Sequence, residues 1–223
     1  MALSRRESLR RAALLAAGSG LPHATLAANE MTAPWQWPQL PPILAPGYGT
    51  DPDLIHPRAP WPLTLSRAQR KLAGTLADIL IPAEDDHPAA SAVGVVDVLD
   101  EWVSAPYPDQ QAHRRTILAG FDWLDREAVR RHRSMFLDLG AADQLAIIDQ
   151  IAFSDTGATS QLSEPVAFFD LLRRLVTGMY YSSPEGVAEL GWVGNVPIAG
   201  DYPGPSTEAM RHLQQILAEL ELD

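Results

Sequence analysis

The residues best equipped for chemistry stand consecutively: Glu84, Asp85, Asp86 and His87. Carboxylates beside an imidazole can hold a divalent cation or relay a proton near neutral pH. That chemistry also needs a further ligand or orienting group at a fixed distance, and no second ligand motif supplies one. The six histidines, His23, His56, His87, His113, His132 and His212, are scattered singly. None has the i, i+4 companion of a helical metal site. Short charge runs ordinarily form solvated surface, so an acidic surface loop is the first reading. Metal binding or catalysis by Glu84, Asp86 and His87 in a stand-alone exported protein is the rival.

Other chemistries find less support. The chain has no cysteine, which excludes disulfides, thiolate nucleophiles, Cys-ligated zinc and iron–sulfur clusters. There is no Gly-x-Gly-x-x-Gly after a strand, no P-loop and no His-Glu-x-x-His. Trp and Tyr in the Gly/Pro-rich stretch 191–205 can stack a sugar ring, but such residues serve more often as hydrophobic anchors. The pairs Arg114-Arg115, Arg130-Arg131 and Arg173-Arg174 can meet acidic patches on a partner. Local pairing with the chain's own Asp and Glu is the simpler expectation, and it contributes little stability.

The elements that must position these residues belong to a chain of 223 residues with a formal net charge of −11. Such a surface repels phosphate backbones and anionic membranes, so neither is an expected partner. The N-terminus is the exception in charge. Ser4-Arg5-Arg6-Glu7-Ser8-Leu9-Arg10 opens a basic segment, an apolar run follows from Ala12 to Ala17, and Ala24-Thr25-Leu26-Ala27-Ala28 ends it with small residues. That order describes an export signal over residues 1–28, with cleavage expected after Ala27. The apolar run is too short for a bilayer-spanning helix. Arg5 and Arg6 resemble the twin-arginine signal that exports folded proteins, although Ser8 sits where Phe is common. The mature protein is then expected in the periplasm.

Residues 29–65 form an arm in which nine prolines fall between Pro34 and Pro62. Proline fixes φ and removes donors, so neither a helix nor a central strand fits. Trp35, Trp37, Tyr48 and Trp61 make the arm too apolar for a solvated linker. It must lie on something: the chain's own helices, or another subunit gripped through those aromatic anchors.

From residue 66 to 223 the apolar spacing is helical between loops at 83–90, 154–163 and 191–205, with no convincing strand alternation. Ser66 and Gln69 form a capping box, and Pro82 ends that first helix. Further helices are expected over 91–103, 109–131 with Asp109 as cap, 142–153 and 165–181 with Pro165 in the first turn, with a short turn after Pro184 and a last helix capped by Ser206 or Thr207. Leu145 is placed inward, as are Met210, Leu213, Ile216, Leu217 and Leu220. The expected fold is therefore all-α: an irregular bundle of six to seven helices carrying a long Pro-rich arm.

Three local patterns resemble the gluconate 2-dehydrogenase subunit 3 family. They are Ala77-Asp78-Ile79-Leu80-Ile81-Pro82-Ala83-Glu84-Asp85 with Pro88, Ala89 and Gly94-Val95; Gly178-Met179-Tyr180-Tyr181-Ser182-Ser183-Pro184-Glu185-Gly186; and Gly191-Trp192-Val193-Gly194-Asn195 with Tyr202-Pro203-Gly204. Met179 stands where Tyr is usual. The resemblance implies the non-catalytic small subunit of a bacterial sugar or glucoside dehydrogenase. It implies that FAD and the active site lie in a large subunit of the glucose-methanol-choline type, that a cytochrome c subunit takes the electrons, and that the small subunit escorts the folded flavoprotein through the export machinery. No catalytic, cofactor or metal residue is then expected here. The proposed partner contacts are Trp35, Trp37, Tyr48 and Trp61 in the arm and Trp192, Asn195, Tyr202 and Pro203 in the Gly/Pro-rich stretch.

Overall fold

A computed structural model describes residues 32–49, 53, 55, 58–84, 86–153, 161–192, 200–201 and 203–220. The described residues form seven α-helices and no strand. Their contacts divide the chain into two units, Met1–Leu190 and Gly191–Asp223.

The first unit is built around its longest helix. In chain order, α1 spans Arg67–Leu80, α2 Val95–Ser104, α3 Pro108–His132, α4 Ala141–Ile148, α5 Ser163–Tyr180 and α6 Pro184–Glu189. α3 packs on α2, α4 and α5, and α1 packs on α2 and α5. Ile117, Phe121, Trp123, Leu124 and Ala128 of α3 are buried together with Phe168, Leu172 and Val176 of α5. Each large apolar side chain removed from water contributes about 1.5–3 kcal/mol. α3 and α5 approach closely because Gly120 faces the Phe168 ring; a Cβ there would lie 2.1 Å from Phe168 Cδ2.

Helix ends follow local chemistry. Ser66 and Gln69 exchange the two hydrogen bonds of a capping box at α1, which satisfies two otherwise orphaned amides. Asp78 accepts from Ser91 N–H and Ser91 Oγ, both at 2.8 Å, and so ties the end of α1 to the segment after the acidic loop. α3 starts two residues earlier than its sequence suggests. Tyr107 is its N-cap and Pro108 its first residue, so Asp109 lies inside the first turn instead of capping it. Proline's fixed φ and missing donor suit that position.

Three further expectations are corrected. The helix expected over 91–103 is two elements, a 3-10 turn at Ala90–Val93 and then α2, separated by Gly94 at φ 81°. α4 ends at Ile148 rather than Phe153, and Leu145 is 45 % exposed while Ile147 and Ile148 are buried. The burial faces of neighbouring elements, not the spacing within one short helix, decide which of these residues point inward.

The second unit contains α7, Thr207–Glu219, capped by Ser206 Oγ on Ala209 N–H at 3.1 Å. None of its residues is buried, and Met210, Leu213, Ile216 and Leu220 are exposed. Leu217 is half-buried, so within the second unit the stripe expected to turn inward is covered only in part. No helix among the described residues is long and apolar enough to cross a membrane.

Candidate functional site

The arm is fastened to the first unit by its backbone, which prolines leave rich in unpaired carbonyls. Ala33 is gripped from both sides: its N–H donates to Glu127 Oε2 at 2.8 Å, and its carbonyl accepts from Trp123 Nε1 at 2.8 Å. Arg126 donates to the Pro34 carbonyl at 3.2 Å, and Arg114 to the Pro41 carbonyl at 3.1 Å. Glu127 is fully buried and ion-paired with Arg130 and Arg131. Burial alone would raise its pKa, but the hydrogen bonds from Arg130, Ala33 and Arg131 prevail and hold it at about 2. Arg114 is buried, and that desolvation lowers its pKa.

Aromatic side chains extend the seam. Trp35 meets Trp37 edge to face at 5.5 Å, and Arg115 stacks on Trp37 with its guanidinium carbon 4.6 Å from the ring centre. Further along, Tyr48 and Tyr107 each meet Trp61 edge to face, at 4.8 and 5.8 Å. Tyr48 N–H donates to Tyr107 Oη, Tyr48 Oη donates to Glu101 at 2.6 Å, and Trp61 Nε1 donates to the Glu101 carbonyl. The bond to Glu101, with burial and the charge of Glu101, raises Tyr48 to about 12. Asp100, buried in α2, accepts from the amides of Thr64 and Leu65 and pairs with Arg70.

Of the proposed arm contacts, then, Trp61 is buried against the chain's own helices and Trp35 is part-buried, while Trp37 and Tyr48 keep 40 % and 37 % exposure. Where the arm begins, Ala33, Pro34, Val129 and Met135 line an open, mainly apolar hollow of about 440 Å3, flanked by Asp125 and Arg126.

A second cluster gathers the first two sequence patterns. Glu84 and His87 pair their backbones across a tight turn, at 2.9 and 3.1 Å. Tyr180 at the end of α5 is fully buried, and its hydroxyl contacts Glu189 Oε2 at 2.9 Å and the Pro88 carbonyl at 3.2 Å. Tyr181 Oη reaches Glu189 Oε1 at 3.4 Å, and His87 Nδ1 lies 3.9 Å from Glu189 Oε2. The turn between α5 and α6 is tight because Ser183 Oγ accepts from Gly186 N–H and donates to the Tyr180 carbonyl. Gly186 itself lies so close to that carbonyl that a Cβ would sit 2.1 Å away. The pattern from Gly178 to Gly186 is thus a device that presents Glu189 to the acidic loop.

The rival use of Glu84, Asp86 and His87 finds an arrangement of another kind: Asp86 is exposed, and His87 faces Glu189 rather than a cluster of ligands. Among the described residues no group of three His, Asp or Glu side chains could hold a metal ion. Beyond α6, Leu190 is 61 % exposed and Trp192 65 % exposed, and Pro203 is exposed as well. Arg5, Arg6, Asn195 and Tyr202 lie outside the described residues.

Sequence reasoning missed Trp123, Glu127 and Glu189. Trp123 and Glu127 stand four residues apart on one helical face, a spacing that marks a shared neighbour. Nothing local identified that neighbour as Ala33. Glu189 ends the short helix α6 and carries no motif of its own.

Fold and contacts of the described residues define a class: a small helical protein that holds its own arm against its helices and exposes Leu190 after α6. More specifically, the chain belongs to the gluconate 2-dehydrogenase subunit 3 family, which it matches over residues 67–204. It is thereby related to a subunit of a dehydrogenase complex. No curated protein and no solved structure matches it.

Proposed function

We propose that this chain is a non-catalytic accessory subunit. It escorts, folds and stabilises a flavin-dependent sugar or glycoside dehydrogenase of the glucose-methanol-choline type during export to the periplasm. FAD then belongs to the catalytic subunit, and a cytochrome c subunit accepts the electrons. The family match supports the assignment to a dehydrogenase complex. The observation that carries the accessory role is the exposure of Leu190, just after α6, and of Trp192 in the third pattern. Apolar residues of that size, presented by a tight turn, suit burial against another protein.

The test is to express the catalytic subunit with and without this chain and to compare its soluble, flavin-loaded and exported amounts. Export and flavin loading should fall sharply without it, and equal amounts would refute the role. Arg5→Lys with Arg6→Lys should strand both subunits in the cytoplasm. A catalytic subunit that still reaches the periplasm counts against escort by this leader.

A further inference from the structure

Among the described residues, the buried charged side chains are Asp100, Arg114 and Glu127. Glu127 is met by the Ala33 amide, Arg130 and Arg131. Asp100 is met by the amides of Thr64 and Leu65, by Ser104 and by Arg70. Arg114 on α3 is answered far less well. It is 7 % exposed, its Nη1 donates to the Pro41 carbonyl at 3.1 Å, and its Nε is buried with no acceptor. No carboxylate among the described residues pairs with it. A cation taken out of water and left without an anion weakens the seam in which it lies.

That seam is the middle of the arm. On one side of it Ala33 and Pro34 are held by Glu127, Trp123 and Arg126. On the other, Tyr48 is tied to Tyr107 and Glu101, and Thr64 and Leu65 to Asp100. Between these fastenings, over residues 37–46, the bond from Arg114 to Pro41 is the one hydrogen bond to the helices among the described residues. Pro38, Pro41, Pro42 and Pro46 have no amide to offer. None of the residues 37–46 is buried. A hollow of about 450 Å3 opens between Pro38, Leu40 and Pro41 of the arm and Gln111 and Arg115 of α3, so the arm does not lie flush here. Trp37 holds through its ring alone, against Trp35 and under the Arg115 guanidinium.

Lifting this stretch gives up one neutral acceptor and a half-exposed ring contact, and it returns a desolvated cation to water. Segments with so few buried contacts open locally while their surroundings stay folded. The Pro41 carbonyl also offers a single neutral oxygen to a fork that two carboxylate oxygens match. Arg70, Arg126, Arg130, Arg131 and Arg173 each have a carboxylate partner of that kind. A net charge of −11 opposes a multiply charged anion at this place and leaves a single carboxylate as the fitting one.

We propose that residues 37–46 are a releasable strap over Arg114, and that a carboxylate opens it by taking the guanidinium from the Pro41 carbonyl. The carboxylate binds the lifted form alone and so shifts the balance toward it. The device is independent of the accessory reading.

The experiment uses the full-length chain labelled with fluorotryptophan, its resonances assigned by single Trp→Phe variants in fluorine NMR. Trp37 reports the strap, Trp123 the fastening at Ala33 and Trp61 the fastening beyond Tyr48. Sodium acetate is titrated against sodium chloride at equal ionic strength. Acetate should shift the Trp37 resonance saturably and leave Trp123 and Trp61 in place, and chloride should shift none of them. Arg114→Lys keeps the charge without the fork and should weaken the acetate response about tenfold. Arg114→Met should abolish it with a melting temperature equal to or above that of wild type, because an apolar side chain replaces an unpaired buried charge. A Trp37 resonance indifferent to acetate, or shifted equally by chloride, overturns the proposal. Joint movement of all three resonances shows that the arm leaves as a whole, which also overturns it. An undiminished response in Arg114→Lys places the acetate elsewhere, and a fall of several degrees in the melting temperature of Arg114→Met makes Arg114 a plain structural clamp; either result overturns the strap.

Discussion

The amide of Ala33 donates to the Glu127 carboxylate at 2.8 Å, joining residues 94 positions apart. The arm and the central helix therefore share one buried charge. Glu127→Gln leaves Arg130 and Arg131 without their anion and weakens the grip on Ala33. The expected cost at neutral pH is about 2–4 kcal/mol, read as a shift in urea midpoint.

The same carboxylate sets an acid limit. Its pKa falls from an ordinary 4.5 to about 2 in the folded protein, so the unfolded chain binds more protons in between. Its stabilisation is complete above the unfolded value and is lost as pH falls toward the folded one. The difference in stability between wild type and Glu127→Gln should shrink over that window. A difference that stays constant from neutral pH to pH ~3 would show that Glu127 is not held ionised by its partners.

Tyr48 sets a corresponding alkaline limit at the other end of the arm. Its hydroxyl donates to Glu101, and its pKa is pushed up to about 12 from 10.0. A raised folded pKa gives stabilisation that is present below the unfolded value and lost as pH rises through the folded one. Trp61 packs edge-on against Tyr48 and should report the release of this part of the arm by a change in fluorescence between those two values. Tyr48→Phe keeps the ring and removes the hydroxyl, so its expected cost at neutral pH is about 0.5–1.5 kcal/mol. In that variant the alkaline step should vanish from the Trp61 signal.

Gly120 is a packing prediction. A methyl group there meets the Phe168 ring at 2.1–2.4 Å in the seam between α3 and α5. Helix propensity alone favours Ala over Gly by about 1 kcal/mol. Overpacking a buried contact costs about 1–3 kcal/mol, and here the obstacle is a fully buried ring with little room to move. Gly120→Ala should therefore destabilise the protein. A rise in melting temperature would show that propensity prevails and that the seam is loose.

The helical class, the capping box at Ser66 and the break at Pro82 were legible in the sequence because each rests on contacts within a few residues. The match over residues 67–204 agrees with the three local patterns that suggested the family. The destination of the arm was not legible. Ala33 is held by residues 90 and 94 positions away, and nothing in a Pro-rich segment encodes such partners. The α7 stripe shows a related limit: periodicity reveals an apolar face without revealing what covers it. Likewise, Gly186 was visible as part of a pattern, but its purpose depends on a carbonyl brought close by the turn at Ser183.

Trp192 separates stability from association. At 65 % exposure it has little to lose in the isolated chain, so Trp192→Ser should change folding stability by less than about 0.5 kcal/mol. If the accessory reading holds, the same indole is buried in the complex, where a Trp anchor typically contributes 2 kcal/mol or more. Affinity for the catalytic subunit should then fall by about thirtyfold. Leu44 is the comparison: it is 91 % exposed on the arm, away from the three family patterns, and Leu44→Ser should leave association near wild type. Titration of the labelled catalytic subunit with each variant makes the measurement. Equal affinities for wild type and Trp192→Ser would remove the exposed tryptophan from the interface and the main structural support from the accessory role.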